Sequence, residues 1–95
     1  MNQLIRDALC EMGHEEAVVF DGPDYDEAII GVTDEGLVVY DFDKMVEILV
    51  ARDGMEEIEA IEFIEYNSIR ALPYIDNAPI VMNRLRLENE EQQTV

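Results

Sequence analysis

Apolar and polar residues follow a helical period in three segments of the chain. In residues 2–12 the apolar side chains recur every three to four positions, and Gly13 suits the end of a helix. A second helix is predicted over residues 43–52, with Asp43 as its N-cap, and a third over residues 56–68. Because the linker between these two helices is short, they are expected to pack as an antiparallel or angled pair.

The second and third helices each have a predicted buried face. The residues expected to point inward are Met45, Ile48 and Leu49 on the second helix and Ile58, Ala60, Ile61 and Ile64 on the third. We expect both faces to cover one side of a sheet, because a helix stripe and a sheet face each need an apolar partner.

Short runs rich in β-branched residues predict the strands. These runs lie at residues 17–20, 28–33, 37–42 and 79–82. The segment Asp34-Glu35-Gly36 has the length and residue types of a hairpin loop between the second run and the third. The last run is expected at a sheet edge, because Pro79 has no N–H to donate to a neighbouring strand.

In the order α-β-β-β-α-α-β, these elements predict an α+β fold. The fold is expected to be a small antiparallel sheet, made of a hairpin and edge strands, covered on one face by helices. Residues 1–84 are expected to form a single domain, the usual organisation for a chain of 95 residues. Residues 85–95 are polar and are expected to be a frayed tail.

Charge distinguishes this chain from an ordinary small domain. It has 23 acidic and 6 basic residues, a formal net charge of −17. From Glu11 to Glu65 there are 18 acidic residues and only two basic ones, Lys44 and Arg52, a local charge of −16. Like charges repel each other and weaken the compact state, so we expect a compensating benefit from so high a net charge. The candidates are a basic partner, bound cations or solubility. Direct binding to nucleic acid or to an anionic membrane is not expected, since both depend on Lys and Arg.

Other bulk features point to a folded protein of a reducing compartment. A hydrophobic content of 48% is too high for an acidic disordered chain. The lone cysteine, Cys10, excludes an internal disulfide. The sequence shows neither a signal peptide nor an apolar run of transmembrane length, so a cytoplasmic protein is expected.

No residue pattern is typical of an enzyme. Cys10 and His14 have the spacing of a Cys–His pair on a helix, but Gly13 is expected to end the helix between them. A free cysteine beside an apolar stripe is also usually a small buried hydrophobe. The acidic residues around the hairpin fit no EF-hand loop, because Ile29 falls where that loop needs glycine. We expect no catalytic residue, no cofactor and no dedicated metal site, and a weak divalent-cation site stays an alternative to solvated turn acids.

Four segments of the chain carry a family resemblance. They read YDEAIIGV at residues 25–32, VYDFDKMV at 39–46, EFIEYN at 62–67 and IRALPY at 69–74. Together they resemble a family of small, uncharacterised acidic proteins of bacteriophages and mobile elements, over roughly residues 17–82. The resemblance implies a phage-like origin. It implies no activity and no catalytic residues, so no site is carried over from it.

The predicted third helix carries a row of glutamates with no lysine to pair with them. They recur every three residues, so neighbours are separated by about 4.5 Å of helix rise, comparable to the phosphate spacing of a nucleic-acid strand. Aspartates of the neighbouring helix and of the hairpin loop are expected to extend this acidic surface. The candidate partner-binding residues are Glu56, Glu59, Glu62, Glu65, Asp41, Asp43 and Asp34.

Two interpretations of this acidic surface stay open. The first is a non-enzymatic inhibitor that mimics nucleic acid and occupies the basic groove of a host defence or DNA-handling protein. An anti-restriction or anti-CRISPR role is proposed by analogy, because it fits the phage-like origin that the resemblance implies. The second is a small structural or adaptor protein that acts through an apolar or homodimer interface, with acidity serving only solubility. Binding by the mimic is expected to weaken steeply with salt, whereas an apolar interface is expected to respond little.

Overall fold

The structure, a computed structural model, describes residues 3–86 and contains three α-helices and three strands. The α+β class is confirmed, and the helices and strands follow the predicted order apart from the run at residues 17–20. The elements are α1 (Gln3–Glu11), a 3₁₀ turn (Asp26–Ala28), β1 (Ile29–Val32), β2 (Val38–Asp41), α2 (Phe42–Asp53), α3 (Glu57–Asn67), a 3₁₀ segment (Ile69–Tyr74) and β3 (Ile80–Met82).

The three strands form one mixed sheet in the order β1-β2-β3. β1 and β2 make the predicted antiparallel hairpin, with Ile29 opposite Tyr40 and Val32 opposite Val38. β3 pairs with β2 in parallel, with Val81 opposite Tyr40. The predicted edge position of the last strand is confirmed, but the prediction of an antiparallel sheet is wrong for this strand. The reason is that α2, α3 and the 3₁₀ segment carry the chain back to the start of β2, as a parallel crossover requires.

Residues 17–20 form no strand, contrary to the prediction. The segment is attached to the core through Phe20, whose ring centroid lies 4.9 Å from that of Tyr40. The Phe20 N–H donates a hydrogen bond of 3.0 Å to the Tyr40 hydroxyl. Burial raises the pKa of Tyr40 to about 12, so this hydroxyl is neutral at physiological pH. The apolar run therefore serves side-chain packing instead of strand pairing.

The boundaries of α2 are set by its two capping residues. Its N-cap is Asp41, the last residue of β2, and not the predicted Asp43, because the strand passes directly into the helix without a loop. The Asp41 carboxylate accepts a hydrogen bond of 3.1 Å from the N–H of Asp43. Gly54 ends the helix in the left-handed conformation with φ of 72°, as predicted from its position.

The core lies between the sheet and the pair formed by α2 and α3. Its fully buried residues are Tyr25, Ala28, Val38, Tyr40, Met45, Leu49, Ala60 and Ile64. The predicted inward positions of Met45 and Leu49 on α2 are therefore confirmed. Ile58 is 62% exposed, so its predicted inward position is wrong. It lies about 200° around the helix from buried Ala60, since each residue turns the helix by about 100°.

The two ends of the chain lie partly outside the structural description. Of the tail predicted over residues 85–95, only Leu85 and Arg86 are described, and both are exposed; residues 87–95 lie outside the described residues. Within residues 3–86, no helix combines the length and the apolar character needed to cross a membrane.

Candidate functional site

Asp41 and Asp43, two of the predicted binding residues, are held in ion pairs at the start of α2. Asp41 is only 5% exposed, and one of its carboxylate oxygens accepts hydrogen bonds of 2.6 and 2.9 Å from the Arg84 guanidinium. Arg86 donates to both carboxylate oxygens of Asp43 at 3.2 Å. Both aspartates therefore already have cationic partners within the chain.

The environment of Asp41 keeps its carboxylate ionised. Burial alone would raise the pKa of Asp41, but the hydrogen bonds and positive charge of Arg84, together with the N–H groups of Lys44 and Asp43, outweigh burial and lower it. The covering Arg84 side chain is itself 52% exposed, so the pair lies at the protein surface. Asp41 is thus a charged structural residue at a helix start, and its carboxylate is covered.

The four glutamates of the predicted row are in a different situation, because all of them are exposed. Glu56 is the N-cap of α3, and its N–H donates a hydrogen bond of 3.2 Å to the Glu59 carboxylate. Glu62 and Glu65 follow along the helix. Within residues 3–86, none of the four forms an ion pair with a lysine or arginine. Their charges are therefore available to a partner.

The nearby basic residues have other contacts and form no ion pair with these glutamates among residues 3–86. The Lys44 Nζ lies 3.6 Å from a carboxylate oxygen of Glu47, and the Arg52 Nε lies 3.2 Å from a carboxylate oxygen of Asp53. Arg70 lies in the 3₁₀ segment that follows α3, and its guanidinium carbon lies 4.8 Å from the centre of the Tyr66 ring, in a cation–π contact.

Three of the glutamates border a shallow, open groove, which we call the α3 groove, with a volume of about 760 Å³. Its lining includes Glu59, Glu62 and Glu65 together with the apolar side chains of Met55, Phe63, Tyr66 and Ile69. The Tyr66 side chain is 67% exposed. Acidic and apolar groups thus meet on one outward face of α3.

Sequence reasoning did not identify this groove, although a signal for it exists. Phe63 and Tyr66 follow Glu59 by four and seven residues, the spacing of one helix face. Residues at that spacing would be assigned to a buried stripe, because aromatic side chains normally face the core. Here the buried stripe of α3 is centred on Ala60 and Ile64, and the aromatic residues fall beside it.

The seven predicted binding residues do not form one surface lining. Glu59, Glu62 and Glu65 border the α3 groove, whereas Asp43 lines a second groove with Arg84 and Arg86. Asp34 is exposed in the hairpin loop and lines neither groove. Glu59, Glu62 and Glu65 are therefore the predicted binding residues that stay together and form no ion pair among the described residues. Arg70 lines the same groove.

Cys10 and His14 do not form a pair on one helix. α1 ends at Glu11, and His14 lies beyond it, against Gly36 of the hairpin loop. Cys10 is exposed, in contrast to the buried position usual for a free cysteine. Within the described part of the chain, no group of three His, Cys, Asp or Glu side chains is arranged to hold a metal ion.

No family model, curated protein or solved structure matches this chain. The resemblance to acidic proteins of phages and mobile elements stays a prediction. The functional interpretation rests on the chain's own residues, above all on the α3 groove and its glutamates.

Proposed function

We propose that this chain is an acidic, non-enzymatic binding protein that occupies the basic surface of a nucleic-acid-binding protein in place of nucleic acid. The observation that carries the proposal is the row of exposed α3 glutamates, which have no cationic partner among residues 3–86. An inhibitor of a host defence or DNA-handling protein, of the anti-restriction or anti-CRISPR kind, is the specific form of this function.

The physical basis is the electrostatics of a regular row of negative charges. Neighbouring glutamates of the row are separated by about 4.5 Å along the helix, so they concentrate counterions as a nucleic-acid strand does. A basic groove that displaces these counterions gains entropy, and the gain falls as salt rises. The row carries no pattern of base-edge donors and acceptors. It therefore suits partners that hold nucleic acid through phosphate contacts, which position the strand without reading its sequence.

The proposal is tested by a pull-down from bacterial lysate with the full chain as bait, eluted by a salt gradient and analysed by mass spectrometry. A variant with Glu56, Glu59, Glu62 and Glu65 changed to glutamine removes the charges and keeps the side-chain oxygens that cap α3. A matched control changes four exposed glutamates on other parts of the chain, Glu11, Glu15, Glu16 and Glu35, to glutamine.

We expect the wild type and the control to retain a basic nucleic-acid-binding protein that is released at moderate salt and displaced by added DNA or RNA. The α3 variant is expected to retain much less of it. Equal retention by the two variants, or a captured protein that nucleic acid cannot displace, would contradict the proposal.

Exposed apolar side chains support a second candidate, an adaptor or homodimer that acts through an apolar interface. Ile30 on β1 and Ile80 on β3 are exposed on the two edge strands of the sheet, and Tyr74 is exposed at the end of the 3₁₀ segment. Two copies of a chain with a net charge of −17 repel each other, so a homodimer is expected to strengthen as salt screens that repulsion. Light scattering at low and high salt separates the candidates, because the mimic is expected to stay monomeric at both.

A further inference from the structure

We propose that the α3 groove receives a cationic amphipathic helix of the partner protein. The apolar stripe of that helix lies in the groove, and its Lys or Arg residues lie beside Glu59, Glu62 and Glu65. This inference rests on the proposed function and specifies which segment of the basic partner is recognised.

Apolar side chains form part of the lining of the α3 groove. Phe63 and Ile69 pack partly on the core and are only half buried, and Tyr66 is 67% exposed. A surface that recognised charge alone would gain nothing from these side chains. Tyrosine buried at the centre of an interface often carries a large share of the binding energy. The lining therefore calls for an apolar complement on the partner.

The border of the α3 groove is acidic. Three glutamates line it against a single cation, Arg70, whose guanidinium lies over the Tyr66 ring. Within residues 3–86, Arg70 forms no ion pair with any of the three. The border is therefore net negative, and a segment with Lys or Arg flanking its apolar stripe matches both the lining and the border.

The length and the walls of the α3 groove favour a helix over a strand as its occupant. The groove runs along α3, which has 11 residues and a length of about 16 Å, or three turns. Its walls are α3 and the following 3₁₀ segment, whose backbone groups bond within the helices. An added strand would need the free backbone edge of a sheet, which these walls lack. A helix with anchors at i, i+3 or i+4, and i+7 needs only side-chain contacts.

The test uses two fluorescent 16-residue peptides of identical leucine, lysine and arginine content. In the first peptide the leucines form one helical stripe, and in its isomer they are spread around the helix. Binding to the full chain is measured by fluorescence anisotropy at physiological salt. We expect the striped peptide to bind about tenfold more tightly than its isomer, because only its stripe fills the groove.

Two pairs of variants locate the binding surface. Tyr66→Ala is expected to weaken binding of the striped peptide about tenfold and to leave binding of the isomer unchanged. Its control is Ile58→Ala, at a similarly exposed apolar residue outside the groove lining, which is expected to change the binding of neither peptide. Glu62→Gln is expected to weaken binding and reduce its salt dependence, and Glu11→Gln is its control. Circular dichroism of each variant confirms that the fold is kept.

The outcomes separate this inference from the proposed function. Equal binding of the two peptides, with no effect of Tyr66→Ala, overturns the inference, and the proposed function then stands if the glutamine variants still weaken both peptides. Binding that depends on Tyr66 but not on Glu62 overturns the cationic part of the inference. If charge removal on α3 affects neither peptide nor the pull-down partner, the proposed function fails as well.

Discussion

The start of α2 and the outward face of α3 carry the same kind of side chain in opposite circumstances. At α2, Asp41 and Asp43 are bound by Arg84 and Arg86. On α3, the glutamate row is exposed and has no cationic partner within the described residues. The difference shows that the acidic residues of one chain are not equally available to a partner: those at α2 are already paired with arginines from a distant segment, and those of the row on α3 are not.

The pairing at α2 also has a structural task. Arg84 and Arg86 lie two and four residues after the end of β3, and Asp41 ends β2 opposite Met82 of β3. A cation beside a helix N-terminus is unfavourable on its own, because the helix dipole is positive there. The negative charges of Asp41 and Asp43 are favourable at the N-terminus of α2, and the same two carboxylates bind Arg84 and Arg86. They therefore join the end of the edge strand to the start of α2.

The largest effect is expected from Asp41→Ala. This change removes the N-cap hydrogen bond and leaves Arg84 without its closest partner, so the free energy of unfolding is expected to fall by about 2 kcal/mol. Glu62→Gln on α3 is expected to change it by only about 0.5 kcal/mol and in the opposite direction, because it removes repulsion from Glu59 and Glu65. Urea denaturation followed by circular dichroism measures both.

Asp41→Asn divides the two contributions at this site. Asparagine keeps a side-chain oxygen that caps the helix but loses the ion pair, so its destabilisation is expected to be smaller than that of alanine. If Asp41→Ala were as mild as Glu62→Gln, the contrast between the two regions would have no energetic meaning.

A pH series tests the same pair by linkage. The pKa of Asp41 in the folded state is lowered, so its ionised form adds stability above the unfolded-state pKa, and this contribution is lost as pH falls through the folded-state pKa. The unfolding free energies of wild type and Asp41→Asn are expected to differ by a constant amount from neutral pH down to about pH 5 and to converge below about pH 4. A gap that widens in acid would contradict the assignment.

Local features of the fold were predictable from the sequence, and those set by distant contacts were not. The hairpin and the helix end at Gly54 depend on neighbouring residues, so composition and spacing predict them. The parallel direction of β3 depends on the whole crossover, and the N-cap at Asp41 depends on where β2 ends. The outward position of Ile58 depends on how α3 rotates against α2.

The same division holds for the candidate site. The lack of lysine on the third helix correctly predicts that its glutamates form no ion pair along the helix. The pairing of Asp41 with Arg84 spans 43 residues, and no local pattern indicates it. The α3 groove was not predicted because the spacing of its aromatic residues is that of a buried stripe, and because Ile69 of the 3₁₀ segment completes its lining.

The glutamate row is expected to cost the chain stability. Like charges three or four residues apart destabilise a helix by about 0.2–0.5 kcal/mol per pair. Changing Glu59, Glu62 and Glu65 together to glutamine is therefore expected to raise the unfolding free energy by about 1 kcal/mol at low salt. Added NaCl is expected to stabilise the wild type more than this variant. An unchanged stability would mean that the repulsion is already relieved within the isolated chain.

The smallest effect is expected from the outer ion pair of the α2 cluster. Asp43 and Arg86 are joined at 3.2 Å, but the Arg86 side chain is 69% exposed, so water screens the pair. A double-mutant cycle with Asp43→Asn and Arg86→Gln is expected to give a coupling free energy of about 0.5 kcal/mol that disappears at high salt. A coupling as large as the loss in Asp41→Ala would show that the outer pair shares the inner pair's shielding. A coupling of zero would leave Arg84, whose Nε lies 3.8 Å from the Asp43 carboxylate, as the only effective cation of the cluster within residues 3–86, and the contrast between the two regions would then rest on Arg84 alone.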